Sequence, residues 1–172
     1  MSKTIDDFRD FFKPEKEKID FFVHESLNKT IELLNPVFKK QNIEIILEKM
    51  KEVKLHGYPN EFSQSVINIL NNSKDALIEN EIKDKRICIE LQVIDEKMIL
   101  DIKDNAGGIP EDILNKVFNP YFSTKEDRNG TGLGLYMSKL IIQDHMDGKL
   151  SAVNHDGGAL FRLELDINGN TK

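Results

Sequence analysis

Residues 66–77 read VINILNNSKDAL, and this stretch decides the fold. It lies within a predicted helix over 61–79, which Pro59 precedes and for which Asn60 is the expected N-cap. Apolar residues recur along this segment at helical spacing, as one buried face of a helix requires. They are Phe62, Val66, Ile69, Leu70 and Leu77. The opposite side of the helix is polar.

That polar side carries an unusual asparagine ridge. Asn68 and Asn72 are four residues apart and share one face, with Asp75 three residues further on. Asparagine is a poor helix former that prefers caps and turns. Its amide oxygen suits Mg²⁺, which keeps several waters and takes phosphate oxygens as further ligands. The ridge is therefore either a solvated polar face, the simpler explanation for this helix alone, or part of a magnesium site.

Two glycine-bearing segments lie further along the chain, DNAGGIP at 104–110 and GTGLGL at 130–135. Glycine allows a close approach of backbone to ligand, and the second segment leads into a helix predicted over 133–146. A helix start offers backbone N–H groups to anions. Neither segment fits the dinucleotide fingerprint or the Walker phosphate loop. Together they suggest a nucleotide with its base at Asp104 and its phosphates at 130–134.

In combination, these segments resemble the catalytic ATP-binding domain of sensor histidine kinases, a branch of the Bergerat-fold (GHKL) ATPases. VINILNNSKDAL resembles the N box, and DIKDNAGGIP (101–110) resembles the G1 box. VFNPYFSTK (117–125) resembles the F box, and GTGLGL resembles the G2 box. The four motifs occur in the family's order and spacing, and the match covers roughly residues 40–166.

The resemblance implies a role for each matching residue. Asn72 corresponds to the Mg²⁺-coordinating asparagine, and Asn68 to the phosphate-facing position one turn earlier. Asp104 corresponds to the acceptor for the adenine amine, and Gly108 to the glycine that passes close to the base. Lys125 corresponds to an F-box lysine that approaches phosphate, and it joins Asn68 and Asn72 as an expected catalytic residue. The remaining expected nucleotide contacts are Asp75, Ile109, Phe118, Thr124, Gly130, Thr131, Gly132, Leu133, Gly134 and Leu135.

Two positions depart from the family pattern. Ala106 stands where many members have the first G1 glycine, and Ser73 replaces a usual alanine. Both residues are small, so we expect the pocket to persist, with loop flexibility and affinity as the properties affected.

The expected fold is α+β, a two-layer α/β sandwich of the Bergerat type. It has a mixed, mainly antiparallel sheet, helices on one face and a mobile ATP lid within 105–132. Phe118, Tyr121 and Phe122 are expected to anchor the lid against the core. Predicted helices cover 27–41, 61–79 and 133–146, with a short one from 110. Predicted strands cover 43–48, 53–57, 87–94, 98–102, 149–154 and 160–165.

Three regions are expected along the chain. Residues 4–13 carry an amphipathic aromatic pattern that predicts a helix, which Pro14 ends. The resemblance implies that residues 1–20 form the tail of a dimerisation-hairpin helix and a linker; alternatively, this helix folds back on the domain. Residues 21–168 form the ATP-binding catalytic domain, and 169–172 a disordered tail. His24 precedes an acidic residue but lies too close to the asparagine helix to be the phosphoacceptor.

Composition excludes several other classes of protein. The 172 residues suggest one domain, and a net charge of −6 without a basic stripe argues against nucleic-acid binding. The single Cys88 excludes an internal disulfide and a cysteine-rich zinc site, and its apolar strand pattern suggests an inert core thiol. With no run of about 18 apolar residues, we expect a cytoplasmic domain without membrane contact, whether or not a longer parent is anchored.

The resemblance implies protein-histidine kinase activity. The γ-phosphoryl group of Mg²⁺-bound ATP would pass to a histidine on the dimerisation and phosphoacceptor domain of the same kinase, absent from this chain. ADP would be released, and a response regulator would be an indirect partner.

Position 68 bears on the reaction type. Hydrolases of this fold, such as gyrase and MutL, carry a glutamate there that activates water. Asn68 has no such basicity, whereas a neutral imidazole is already nucleophilic. An ATP-binding interaction module without transfer activity is the alternative, and a hydrolase with another base is a weaker one.

Overall fold

The computed structural model describes residues 17–122 and 133–167. Two long helices lie in the first half of the described chain, α1 at Val23–Lys40 and α2 at Pro59–Glu79. A third helix, α3 at Gly134–Lys139, continues as a π-helical segment over Leu140–His145. A single 3-10 turn covers Leu114–Lys116.

Seven strands form two sheets in the described part of the chain. A small antiparallel pair joins β1 (Ile19–Phe22) to β3 (Lys54–Gly57). The main sheet has five strands in the order β2-β4-β5-β7-β6. Only the β2–β4 pair in it is parallel. The bounds of its strands are β2 Glu44–Met50, β4 Arg86–Ile94, β5 Lys97–Asp104, β6 Lys149–His155 and β7 Gly158–Asp166.

Tight turns set the register of the two hairpins. Asp95 and Glu96 join β4 to β5 with φ values of 52° and 63°, and Asp156 and Gly157 join β6 to β7 with φ values of 46° and 76°. Positive φ at both central residues matches the right-handed twist of adjoining strands.

The core lies between one face of the main sheet and the helices. Along β5, Met98, Leu100 and Ile102 are fully buried. The same alternation in β4 and β7 brings their apolar residues to this inner face, as the strand period of two requires. From α2, Phe62 and Leu70 are fully buried against them. The expected α+β two-layer sandwich with a mainly antiparallel sheet is therefore confirmed.

The outer face of the sheet is polar and corrects one expectation. Arg162 makes a bidentate pair with the buried Asp101 at 2.7 and 2.8 Å, and this hydrogen bonding raises the pKa of Arg162. Cys88 is paired with Lys103 on the same outer face and is only half-buried, so it is not a core residue. Partial burial nevertheless raises the pKa of its thiol, which keeps the thiol protonated at neutral pH.

Several boundaries differ from the sequence predictions. Asn60 is not the N-cap, because α2 begins at Pro59, whose fixed φ and missing N–H suit the first helical position. Strand β1 was missed, and it spans residue 20, where a linker was expected to end. The helix predicted over 133–146 widens into a π-helix after Lys139, which apolar spacing did not reveal. The expected lid lies partly outside the described residues.

Candidate functional site

The asparagine ridge of α2 contacts the start of α3. Asn68 Nδ2 donates a hydrogen bond of 3.1 Å to the carbonyl oxygen of Gly134, 66 residues away in sequence. A Cβ atom on Gly134 would lie 3.8 Å from the Asn68 side chain, an ordinary contact distance. The structure therefore brings together one N-box asparagine and the last glycine of the GTGLGL segment.

A buried serine reinforces this helix pair one turn further on. Ser138 Oγ lies 3.1 Å from the carbonyl oxygen of Ser65 and 3.2 Å from that of Gly134. Ser138 is fully buried. Because hydrogen bonds on successive turns restrict sliding, the two helices hold Asn68 and Gly134 at a fixed spacing.

Asp104 ends β5 as a buried carboxylate held by backbone amides. Its Oδ1 atom accepts hydrogen bonds from the N–H groups of Ala106, at 3.0 Å, and of Ala159, at 3.1 Å. No residue in the described ranges donates to its other oxygen, Oδ2. A carboxylate oriented in this way can accept a hydrogen bond from a ligand donor such as an exocyclic amine.

The loop after Asp104 is fixed by two side-chain amides, one at the end of α2 and one in the loop itself. Asn80, which follows α2, donates to the carbonyl oxygen of Ala106 at 2.7 Å. Asn105 donates to the Asp84 carbonyl at 2.6 Å and accepts from the Arg86 N–H at 2.9 Å. The C-terminal end of helix α2 therefore contacts the Asp104 loop, and the middle of the same helix contacts the start of α3.

The turn between β6 and β7 supports the same loop. The carbonyl oxygen of Gly157 accepts a 2.8 Å hydrogen bond from the Gly107 N–H. Next to it, Gly158 lies so close to Asp104 that a Cβ atom on it would be 1.6 Å from the Asp104 carbonyl oxygen. The start of β7 thus approaches Asp104 at a distance that only glycine permits.

Asn72 and Asp75 lie on α2 near Asn68, and both are half-buried. Within the described ranges, histidine, cysteine and acidic side chains form no cluster of three suited to a metal ion. An amide oxygen such as that of Asn72 is a donor that Mg²⁺ accepts when waters and phosphate oxygens supply its other ligands. Dedicated metal cages of the calcium or zinc type do not fit these residues.

Ser73 departs from the family pattern at a fully buried position of α2. Its Oγ atom is buried and finds no hydrogen-bond partner among the described residues. We expect Ser73→Ala to leave the free energy of unfolding unchanged or to raise it by up to about 1 kcal/mol, because a buried unpaired hydroxyl is removed. Urea unfolding of the two proteins measures this difference.

Ser65→Ala is the matched control, because Ser65 is also fully buried in α2 but its Oγ donates to the Glu61 carbonyl at 3.1 Å. Its loss should lower the free energy of unfolding by about 0.5–1 kcal/mol. A comparable loss for Ser73→Ala would show that the Ser73 hydroxyl makes a stabilising hydrogen bond.

The F-box aromatics only partly anchor as expected. Phe118 makes an edge-on contact with the buried Phe161 of β7, with ring centres 6.2 Å apart, and Lys139 Nζ lies 5.7 Å from the Phe118 ring centre. Phe122 is half-buried. Tyr121 is 77% exposed, so its expected anchoring role is wrong. An aromatic pattern indicates anchoring but cannot distinguish which ring faces solvent.

Other expected site residues divide into two groups. Gly108, Ile109, Leu133 and Leu135 are described, and Leu135 packs against the core. Thr124, Lys125, Gly130, Thr131 and Gly132 lie outside the described residues, so their expected roles remain predictions.

Sequence reasoning missed the residues that hold the Asp104 loop from outside the motifs. These are Asn80, Asn154, Gly158 and Ala159. The glycine pair 157–158 was recognised only as a turn. Asn80 was a further signal in the sequence, because a polar side chain directly after a helix can hydrogen-bond to a neighbouring loop.

No helix in residues 17–122 and 133–167 combines the length and apolar character that crossing a bilayer requires.

Comparison with known proteins agrees with this geometry. The family model described as "Histidine kinase-, DNA gyrase B-, and HSP90-like ATPase" matches residues 57–169. Among solved structures, the nucleotide-free catalytic domain of histidine kinase ThkA superposes with a TM-score of 0.78 at 27% identity. That match covers 88% of this chain and 97% of the other. The expected resemblance to histidine-kinase catalytic domains is thereby confirmed.

Curated relatives point the same way. The two-component sensor PprA of Pseudomonas aeruginosa is 36% identical over 116 residues, which are 66% of this chain and 12% of the sensor. Sporulation kinase E of Bacillus subtilis is 29% identical over 153 residues, which are 87% of this chain and 20% of the kinase. The chain thus spans no more than a fifth of the length of either relative.

Proposed function

The chain belongs to the histidine kinase-, DNA gyrase B-, and HSP90-like ATPase family, and from this premise we propose that it is the ATP-binding catalytic domain of a two-component sensor histidine kinase. Its reaction would transfer the γ-phosphoryl group of ATP to a histidine on a dimerisation domain. The bond from the γ-phosphorus to the bridging oxygen of ADP breaks as a bond to the imidazole nitrogen forms. ADP leaves, and the imidazole proton passes to solvent.

The identity of residue 68 is the observation that supports phosphoryl transfer rather than hydrolysis. Hydrolysis needs a general base within reach of the attacking water. Asn68 is an amide without useful basicity, and its NH₂ group is bound to the Gly134 carbonyl. A neutral histidine nucleophile needs no such base. We therefore expect slow ATP turnover by the chain alone and transfer once an acceptor histidine is supplied.

The proposal assigns a role in nucleotide binding to each site residue. Asp104 Oδ2 accepts a hydrogen bond from the adenine amine, which selects adenine over guanine because guanine has a carbonyl there. Asn72 holds Mg²⁺, which neutralises phosphate charge when bound. Asn68 and Gly134 border the phosphate end. Lys125, Thr124 and the glycines at 130 and 132 complete that end in the proposal.

The partners follow from the same proposal. The dimerisation and phosphoacceptor domain of the same kinase would be the direct protein partner, and a response regulator the indirect one. An ATP-dependent transfer would operate on the cytoplasmic side, where ATP is available.

The alternative function is an ATP-binding interaction module without transfer. Incubation with ATP labelled at the γ-phosphate, together with a dimerisation hairpin from the sensor kinases that the chain resembles, separates the two. Acid-labile, base-stable label on the hairpin histidine supports the kinase. Nucleotide binding without any label on the hairpin supports the module, and steady release of labelled phosphate supports a hydrolase.

Asn72→Ala tests the magnesium assignment. We expect Mg²⁺-dependent ATP affinity to fall at least about tenfold, while the free energy of unfolding changes by less than about 1 kcal/mol, because Asn72 is a half-buried polar residue on α2. Calorimetric titration with and without Mg²⁺ measures the first quantity, and urea unfolding the second.

Asn35→Ala is the control, because Asn35 is also a half-buried helical asparagine but lies on α1. It should leave the nucleotide affinity unchanged. Equal losses of affinity and stability in Asn72→Ala would assign Asn72 a structural role instead.

A further inference from the structure

Asn154, on the edge strand β6, fixes the backbone of the loop that follows Asp104, and we propose that it is a positioning residue for the nucleotide base. This inference rests on the ATP-binding function proposed above and adds a residue outside its motifs. Asn154 acts through the main chain of Ile109 rather than through contact with the nucleotide.

The contact is a complete amide-to-backbone pair. Asn154 Oδ1 accepts the Ile109 N–H at 2.7 Å, and Asn154 Nδ2 donates to the Ile109 carbonyl at 2.7 Å. Backbone groups of neighbouring antiparallel strands form the same two-bond pair. The side chain thus replaces a strand partner for one residue of an otherwise irregular loop.

The position of Ile109 makes this pair consequential. Gly107 and Gly108 precede it with φ values of 99° and 89°. Two successive glycines give the backbone a wide range of accessible conformations. Before this glycine pair, Ala106 is held by Asn80 and by Asp104. Within it, the Gly107 N–H donates to the Gly157 carbonyl. After it, the pair with Asn154 is the next described hydrogen bond that holds the chain, so Asn154 limits the path of Gly108.

Asn154 also sets the distance between β6 and Gly108. A Cβ atom on Gly108 would lie 2.9 Å from Asn154 Oδ1, so the amide rests against the Gly108 Cα. Gly108 is the glycine expected to pass close to the base. A shift of the Asn154 side chain would therefore move that backbone relative to Asp104.

The sheet directs the Asn154 side chain toward the loop. Asn154 is paired with Ala159, whose N–H donates to Asp104. Asn154 is therefore on the inner face of the sheet with Ala159, while Val153 is on the outer face. Asn154 Nδ2 also lies 3.4 Å from Glu111 Oε1, which continues the support two residues beyond Ile109.

The first test compares Asn154→Ala with the unaltered chain by calorimetric titration with ADP and with ATP. We expect the affinity for both nucleotides to fall about tenfold, as the loss of two neutral hydrogen bonds allows. The factor should be equal for ADP and ATP, because both share the base and differ at the phosphate end. Val153→Ala, at a neighbour that is also exposed but directed to the other face, should bind both nucleotides normally.

Amide exchange locates the effect. In Asn154→Ala the Ile109 N–H should exchange at least about tenfold faster without nucleotide, since its acceptor is gone. The Ala159 N–H, which is bound to Asp104, should keep its exchange rate. Faster exchange at both sites would indicate general loosening of the structure and would overturn a positioning role.

Asn154→Asp supplies a second variant with the same shape. At neutral pH its carboxylate keeps an acceptor for the Ile109 N–H but places a second oxygen against the Ile109 carbonyl. We expect a loss of affinity at least as large as in Asn154→Ala. Protonation of the introduced carboxyl as the pH is lowered to about 4 restores a donor, so the loss relative to the unaltered chain should shrink at that pH, whereas the loss in Asn154→Ala should not.

Unchanged ADP and ATP affinities in Asn154→Ala, with normal binding by the unaltered chain, would overturn this inference and leave the proposed function intact. Failure of the unaltered chain to bind either nucleotide would overturn both.

Discussion

Asp104→Ala is expected to abolish measurable ATP and ADP binding and to destabilise the domain. The Ala106 and Ala159 N–H groups would lose their shared acceptor in a buried setting, at a cost of about 2–4 kcal/mol. The adenine amine would lose its acceptor as well. Calorimetric titration measures the loss of binding, and urea unfolding measures the loss of stability.

Asp104→Asn separates these two roles. Its amide oxygen can still accept from Ala106 and Ala159, so the free energy of unfolding should change by less than about 1 kcal/mol. Its NH₂ group would then face the adenine amine, donor against donor, and affinity should fall about 10- to 100-fold. Normal ATP affinity in this variant would exclude Asp104 from base recognition.

Gly158→Ala is the second change with a large expected effect. Its Cβ atom would be 1.6 Å from the Asp104 carbonyl oxygen and 2.5 Å from the Asp104 carbonyl carbon. These are backbone atoms that no rotamer change can move, so the start of β7 must separate from the end of β5. We expect the free energy of unfolding to fall by about 3 kcal/mol or more. Urea unfolding measures this loss, and calorimetry should show weaker ADP binding, because the Ala159 N–H moves away from Asp104.

Gly157→Ala is the matched control, because it introduces backbone strain without a clash. Gly157 has a φ of 76°, and a Cβ atom on it would meet nothing within 4 Å. The cost should therefore be about 1–2 kcal/mol, the usual penalty for a left-handed non-glycine residue. A smaller loss in Gly158→Ala than in Gly157→Ala would contradict the close approach of β7 to Asp104.

Much of the fold was predictable from local patterns. The long apolar stripe of α2 and the alternation in β4, β5 and β7 identify elements that bury one face. Strand β1 was not predictable in the same way. Its four residues gain stability only from pairing with β3. A contact between segments so far apart in sequence leaves no periodic pattern of apolar residues within the strand.

The candidate site was predictable where a motif carries the chemistry. Asn68, Asp104 and Gly134 were singled out from their sequence context as nucleotide-binding residues, and in the structure Asn68 contacts Gly134. The supporting residues were not. Asn154 is 45 positions from Ile109, and an exposed asparagine on an edge strand has no spacing that indicates its partner. Gly158 is required by a neighbouring backbone rather than by a positive φ, so only the packed structure reveals it.

The central claim is that an amide ridge, a buried acid and a glycine-rich helix start surround one purine nucleotide. The most direct measurement is a crystal structure of the chain with a non-cleavable ATP analogue and Mg²⁺. We predict the adenine amine at about 3 Å from Asp104 Oδ2, the metal on the Asn72 oxygen, and the phosphates beside Asn68 and Gly134. An analogue bound elsewhere, or one whose adenine amine faces away from Asp104, would contradict the account.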